Sequence, residues 1–200
     1  MKNIRGLIFD LDGTLVDSQL DFDLMRQEMD LPPGRILESI AALPEQRARK
    51  CMEILQRHEI EGAARATLLP GVDLLLRKAQ ERSIPIGIVT RNSREISLAV
   101  LSRLRIRHDV LLTRDDGPIK PDPWGVRQIC ERWNVPARQV VMIGDYMFDV
   151  LSGRGAGTRT VLLTHPVPPH EYPNEEQADL LLSSLAEHER LMEWMEGIEA

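Results

Sequence analysis

Apolar and polar positions alternate along this chain in two rhythms, and the order of those rhythms predicts its architecture. Leu7-Ile8-Phe9 is a short apolar run that leads straight into Asp10, with a turn signal at Gly13. Such a run, bounded by a turn, predicts a buried strand. From about Asp17 to Leu69 the pattern is helical and carries no strand signal. Pro32-Pro33-Gly34 parts one helix from the next. Ala48, Cys51, Met52 and Leu55 then recur at helical spacing, while Arg47, Arg49, Lys50 and Arg57 take other faces. Pro70-Gly71 closes the section. Beyond it, helices are expected over 72–82, 93–104 and 123–133, and from Asp145 to about Arg154. Strands are expected over 84–90, 109–113, 140–145 and 160–163. Ser93 is a suitable N-cap for the second of these helices. The tail offers the apolar run Leu180-Leu181-Leu182 and a terminal helix.

Strands alternating with helices of this length predict an α/β fold whose mostly parallel sheet is covered on both faces. Function in such sheets gathers at the carboxyl ends of the strands. The segment Gly153-Arg154-Gly155-Ala156-Gly157 follows a helix rather than a strand, so it is read as a helix stop and loop and not as a dinucleotide site.

Composition narrows the function classes. With 200 residues, 42% hydrophobic and 28% charged, the chain suits one medium domain, or a domain with a small insertion. A formal net charge of -6 leaves no basic excess to neutralise a nucleic-acid backbone. No apolar run approaches the roughly 18 residues that span a bilayer, and the first strand begins too early to leave room for a signal peptide. The two cysteines, Cys51 and Cys130, are isolated, and the five histidines show no zinc-type spacing. A cytoplasmic protein is expected.

The chemistry is concentrated at strand ends. Residues i and i+2 of a strand share a face, so Asp10 and Asp12 should point the same way. Two crowded carboxylates resist joint ionisation and call for a cation or a shared proton. Thr90-Arg91-Asn92 ends an apolar strand with a hydroxyl and opens a helix, which makes an anion seat. Lys120 stands in a loop stiffened by Pro118, Pro121 and Pro123, as suits a fixed positive charge. Asp145 ends another strand, and Asp149 follows one helical turn later. Four such acids, with oxygen ligands alone, suit a hard ion and Mg²⁺ above all.

These motifs, Asp10-Leu11-Asp12-Gly13-Thr14, Thr90, Lys120-Pro121, and Gly144-Asp145 with Asp149, stand in an order that resembles the haloacid dehalogenase superfamily of aspartate-nucleophile phosphohydrolases, in its phosphoglycolate-phosphatase-like branch. The resemblance implies a Rossmann-like core over 1–16 and 70–200. It also implies a small helical cap over 17–69, with hinges near Leu15-Val16 and Leu69-Pro70-Gly71. It implies that Asp10 is the nucleophile toward a phosphate monoester and Asp12 the general acid and base. Mg²⁺ would be held by the side chains of Asp10 and Asp145 and the carbonyl of Asp12, with Asp149 completing the shell. Leu11, Asp12, Thr90, Arg91, Asn92 and Lys120 would surround the phosphate. The aspartate at position 12 points to phosphate esters rather than carbon-centred chemistry. Tyr146-Met147-Phe148 departs from the small residues often found after the Gly-Asp pair. The expected partner is a small-molecule phosphate ester, with neither nucleic acid nor membrane. A monomer suffices and a dimer stays open. A sugar-phosphate mutase and a non-catalytic phosphate-binding protein are the rival readings. The substrate is not legible, and the cap residues Arg26, Arg47 and Arg57 either meet an anionic leaving group or face solvent.

Overall fold

The computed structural model describes residues 4–164 and 178–197. Six strands form one parallel sheet: β1 (Gly6–Phe9), β4 (Ile86–Val89), β5 (Val110–Leu112), β6 (Val140–Gly144), β7 (Arg159–Leu163) and β8 (Leu180–Leu182). Their order across the sheet is β5-β4-β1-β6-β7-β8, with every neighbouring pair parallel. From β1 the chain builds outward on one side through β4 and β5. It then crosses to the other side for β6, β7 and β8. The reversal lies between β1 and β6, and a crevice opens at the carboxyl ends of strands where the order turns around.

Parallel strands buried on both faces need apolar side chains at every position rather than alternate ones. Leu7, Ile8 and Phe9 of β1 are fully buried, as are Val140, Val141 and Ile143 of β6. Helices α4 (Val72–Glu81), α5 (Arg94–Arg103), α6 (Trp124–Trp133), α7 (Met147–Ala156) and α8 (His188–Glu196) accompany the sheet. Val126 and Ile129 of α6 enter a core cluster with Ile8, Val89 and Met142. The Trp133 ring lies on bare backbone, since a Cβ at Gly6 or Gly87 would stand 2.6 or 3.0 Å from it. Met147 and Val150 of α7 pack with Leu162 of β7.

The chain divides into two compact units, Met1–Asp17 with Thr67–Ala200, and Ser18–Ala66. The second holds α1 (Phe22–Glu28), α2 (Ile36–Ala41) and α3 (Glu45–Arg65). Asp21 caps α1, its carboxylate accepting the Asp23 and Leu24 N–H groups at 3.1 and 2.9 Å. Met25, Met29, Ile40, Cys51 and Leu55 form this unit's own core.

Two local expectations need correction. The stretch 17–69 is not free of strand: β2 (Val16–Asp17) pairs antiparallel with β3 (Thr67–Leu68). Two residues are too few to leave a period in the sequence, and only chain return reveals the pair. The glycine segment is not a loop either, because Gly153 and Gly155 lie within α7 and Gly157 alone caps it, at φ 84°. Gly153 is kept small by close packing, since a Cβ there would meet Thr160 at 2.7 Å and Met142 at 2.8 Å. No helix among the described residues is long and apolar enough to cross a membrane.

Candidate active site

Asp10 leaves the end of β1, yet its N–H still donates to the Ile143 carbonyl at 2.9 Å, so the β1–β6 ladder runs one residue past the strand. Its Oδ1 accepts the Leu11 N–H at 2.6 Å and the Lys120 ammonium at 2.7 Å. Lys120, 2% exposed, also donates to Asp149 Oδ1 at 2.6 Å. The other oxygen of Asp149 accepts the Tyr146 N–H at 3.0 Å, at the start of α7. Asp145, one residue past β6, accepts the Thr14 hydroxyl on Oδ1 at 2.7 Å. One oxygen each from Asp10, Asp145 and Asp149 lies within 4.8 Å of the others.

Burial and mutual charge shift the titration of this group. Burial disfavours the Lys120 ammonium, but Asp10 and Asp149 outweigh it and raise its pKa above the ordinary lysine value. Burial pushes Asp149 up to about 6, against the pull of Lys120. Burial, then the charges of Asp10 and Asp149, lift Asp145 well above the usual carboxylate range. Lys120 bridges Asp10 and Asp149, and Asp145 lies beside them. A cluster of three carboxylates offering oxygen ligands alone fits a hard divalent cation. Both oxygens of Asp149 accept hydrogen bonds, one from Lys120 and one from the Tyr146 N–H.

Backbone close approach keeps the group together. Gly13 has φ 80°, and a Cβ there would stand 2.3 Å from Asp145 Oδ2. A Cβ on Gly144 would meet the Asp149 carboxylate at 2.1 Å. Neither position accepts a side chain without moving an acid.

The seat beside these acids is built from β4 and the loop after β5. Thr90, 4% exposed, extends the sheet through its N–H to the Leu112 carbonyl at 3.0 Å. Its hydroxyl oxygen accepts the Asn92 N–H at 3.1 Å. The Asn92 carbonyl accepts the Arg114 N–H at 3.1 Å, and its side-chain amide donates to Asp12 Oδ2. Arg91 donates to the Lys120 carbonyl at 2.9 Å and lies 4.8 Å above the Phe148 ring centre. Phe148 meets Tyr146 edge to face at 4.7 Å. Arg114 reaches the Arg91 carbonyl at 3.2 Å. Arg91 and Arg114 thereby tie the β4, β5 and β6 loops together.

The sequence-predicted residues Asp10, Leu11, Asp12, Thr90, Arg91, Asn92, Lys120, Asp145 and Asp149 all lie beyond the carboxyl ends of β1, β4, β5 and β6. Direct bonds join Lys120 to Asp10 and Asp149, and Asn92 to Asp12. Thr14 belongs to the first motif, but the sequence pattern assigns it no role. Its hydroxyl bond to Asp145 spans 131 positions, which no local pattern reveals. Arg26, Arg47 and Arg57 pair with Asp23, Asp30 and Glu28 inside their own helical unit.

The sequence profile of the haloacid dehalogenase-like hydrolases matches residues 4–157. A haloacid dehalogenase-like hydrolase domain-containing protein of Arabidopsis thaliana is 29% identical over 206 residues, spanning 95% of this chain and 84% of that protein. An N-acetylmuramic acid 6-phosphate phosphatase of Pseudomonas putida is 27% identical over 204 residues, spanning 90% and 92%. The crystal structure of a predicted phosphoglycolate phosphatase from Haemophilus somnus superposes with a TM-score of 0.79 at 20% identity, covering 96% of this chain and 99% of that one. At that identity the likeness is one of fold.

Proposed function

From the premise that this chain belongs to the haloacid dehalogenase-like hydrolase family, we propose that it is a Mg²⁺-dependent phosphatase of small-molecule phosphate monoesters. The observation that carries this reading is the buried Lys120 ammonium bridging Asp10 and Asp149 beside Asp145. That arrangement holds a nucleophilic carboxylate in a fixed pose and offers positive charge where phosphoryl oxygens would sit. The phosphatase name of the Pseudomonas putida relative supports the same reaction class.

Oδ1 of Asp10 is held by Lys120 and the Leu11 N–H, so attack on phosphorus falls to Oδ2. As the Asp10–phosphorus bond forms, the bond to the leaving oxygen breaks and its electron pair goes to that oxygen. Asp12 supplies the proton that makes it an alcohol. Water then attacks the aspartyl-phosphate, Asp12 takes its proton, and inorganic phosphate leaves with the Asp10 carboxylate restored. The Thr90 hydroxyl, the backbone N–H groups of Asp12 and Arg91, and the Lys120 ammonium seat the phosphate oxygens. The side chains of Asp10 and Asp145 and the Asp12 carbonyl would hold Mg²⁺, with Asp149 outside them. Mg²⁺ supplies charge neutralisation for the transferring phosphoryl group when bound. We assign the helical unit Ser18–Ala66 as the cap module. Unpaired buried thiols at Cys51 and Cys130 accord with a reducing compartment such as the cytoplasm.

The test is phosphate release from p-nitrophenyl phosphate and a panel of metabolite phosphates, with Mg²⁺ or EDTA. Turnover that needs Mg²⁺ and vanishes in Asp10→Asn is expected. Activity surviving Asp10→Asn would sink the mechanism, and a folded wild type releasing no phosphate from any panel member would sink the function.

A further inference from the structure

The resemblance places Asn92 among the groups around the phosphate, and the structure joins its side chain to the first motif. The amide donates to Asp12 Oδ2, the carboxylate assigned to proton transfer, across 80 positions of sequence. Asn92 is 8% exposed and anchored through both its backbone N–H and its carbonyl. Its N–H is held by the Thr90 hydroxyl oxygen and its carbonyl by the Arg114 N–H, both at 3.1 Å. An amide nitrogen can only donate, so the contact sets the rotation of the Asp12 carboxyl and occupies Oδ2. Proton traffic to the leaving oxygen is then directed through Oδ1.

Resting on the phosphatase reading above, we infer that Asn92 is a positioning residue for Asp12: it aims the general acid rather than gripping the phosphate. The bond links the first motif to the β4 loop, so closing the phosphate seat and aiming the acid become one event. A role in aiming the acid has a signature that simple packing lacks. A nitrophenolate leaves without a proton, whereas an alkoxide needs one. The value of Asn92 should therefore scale with the basicity of the leaving group.

The experiment measures kcat/KM, which reports the first phosphoryl transfer, for p-nitrophenyl phosphate and for a series of alkyl phosphates. Wild type is compared with Asn92→Ala and the isosteric Asn92→Asp, alongside inhibition by inorganic phosphate. Thermal unfolding establishes that each variant is folded, and Asn92→Asp keeps the shape if Asn92→Ala does not fold. The expected result is a loss of about tenfold or more on alkyl phosphates, a much smaller loss on the nitrophenyl ester, and phosphate inhibition unchanged in the uncharged variant Asn92→Ala. An equal loss on all esters, weakened phosphate inhibition in Asn92→Ala, or a wild-type leaving-group profile in Asn92→Asp would each overturn the assignment. Those outcomes leave the phosphatase reading standing, whereas a wild type inactive on every ester would remove both.

Discussion

Lys120 illustrates what one residue decides here. It is a buried cation between two carboxylates, with 1% of its side chain exposed. Lys120→Met would leave Asp10 and Asp149 facing each other without compensation. Removing one partner of a buried pair costs about 3–5 kcal/mol, so denaturant titration should show a loss of that size alongside loss of turnover. An unchanged midpoint would mean that the ammonium is not part of the buried balance. The acids also set a pH dependence. Asp149 is raised to about 6 and Asp145 well above the usual range. A carboxyl with a raised folded pKa favours the metal-free fold at low pH, and that contribution is lost as pH climbs through the raised value. Metal binding needs the same groups deprotonated. Mg²⁺ should therefore raise the unfolding temperature more at about pH 8 than at about pH 5. An equal or larger gain in acid would contradict the metal assignment. At this scale the residue types were legible, because acids, a hydroxyl and a proline-bound lysine stand at apolar run ends. Their pairings were not: Thr14 to Asp145 and Asn92 to Asp12 join residues far apart in sequence.

At the scale of elements, the strands and helices of the sheet unit follow from their apolar rhythm; the strands expected over 84–90, 109–113 and 140–145 shorten by one to three residues, whereas those at 7–9 and 160–163 each gain one residue at the start. The expected strand over 84–90 is observed as Ile86–Val89, and that over 140–145 as Val140–Gly144. Hydrogen bonding from neighbouring strands, absent from a sequence, decides where a ladder stops. The glycines in these elements show the same division. Gly87 looks like a weak point in a strand, yet Ile129 and Trp133 of α6 press onto it. A Cβ at Gly87 would stand 2.9 Å from Ile129 and 3.0 Å from Trp133. Gly87→Ala should thus lower stability by about 1–3 kcal/mol through overpacking, despite the better strand propensity of alanine. Calorimetry showing a stabilised variant would mean that α6 yields easily. The short β2–β3 pair belongs to the same lesson, since its register, Val16 with Leu68 and Asp17 with Thr67, is a property of two segments and of neither alone.

At the scale of the molecule, the β2–β3 pair has a consequence for the two units. It brings the two ends of the sheet unit side by side at Asp17 and Thr67, where paired Cα atoms lie about 5 Å apart. Replacing residues 18–66 with a short glycine-serine linker should leave the sheet unit folded, with cooperative unfolding and native-like circular dichroism in the helix and strand bands. A molten or aggregated product would show that the helical unit is needed for the core to fold. By itself the sequence determined the alternation of strands and helices and the set of polar residues at strand ends, because each is written in local periodicity and composition. Tertiary structure alone decided the strand order that places β1 beside β6. It also decided the burial that lifts Asp145 and Asp149, and the partners that bind Lys120, Thr14 and Asn92. Those properties arise from proximity between distant segments, and proximity is what a chain acquires only on folding.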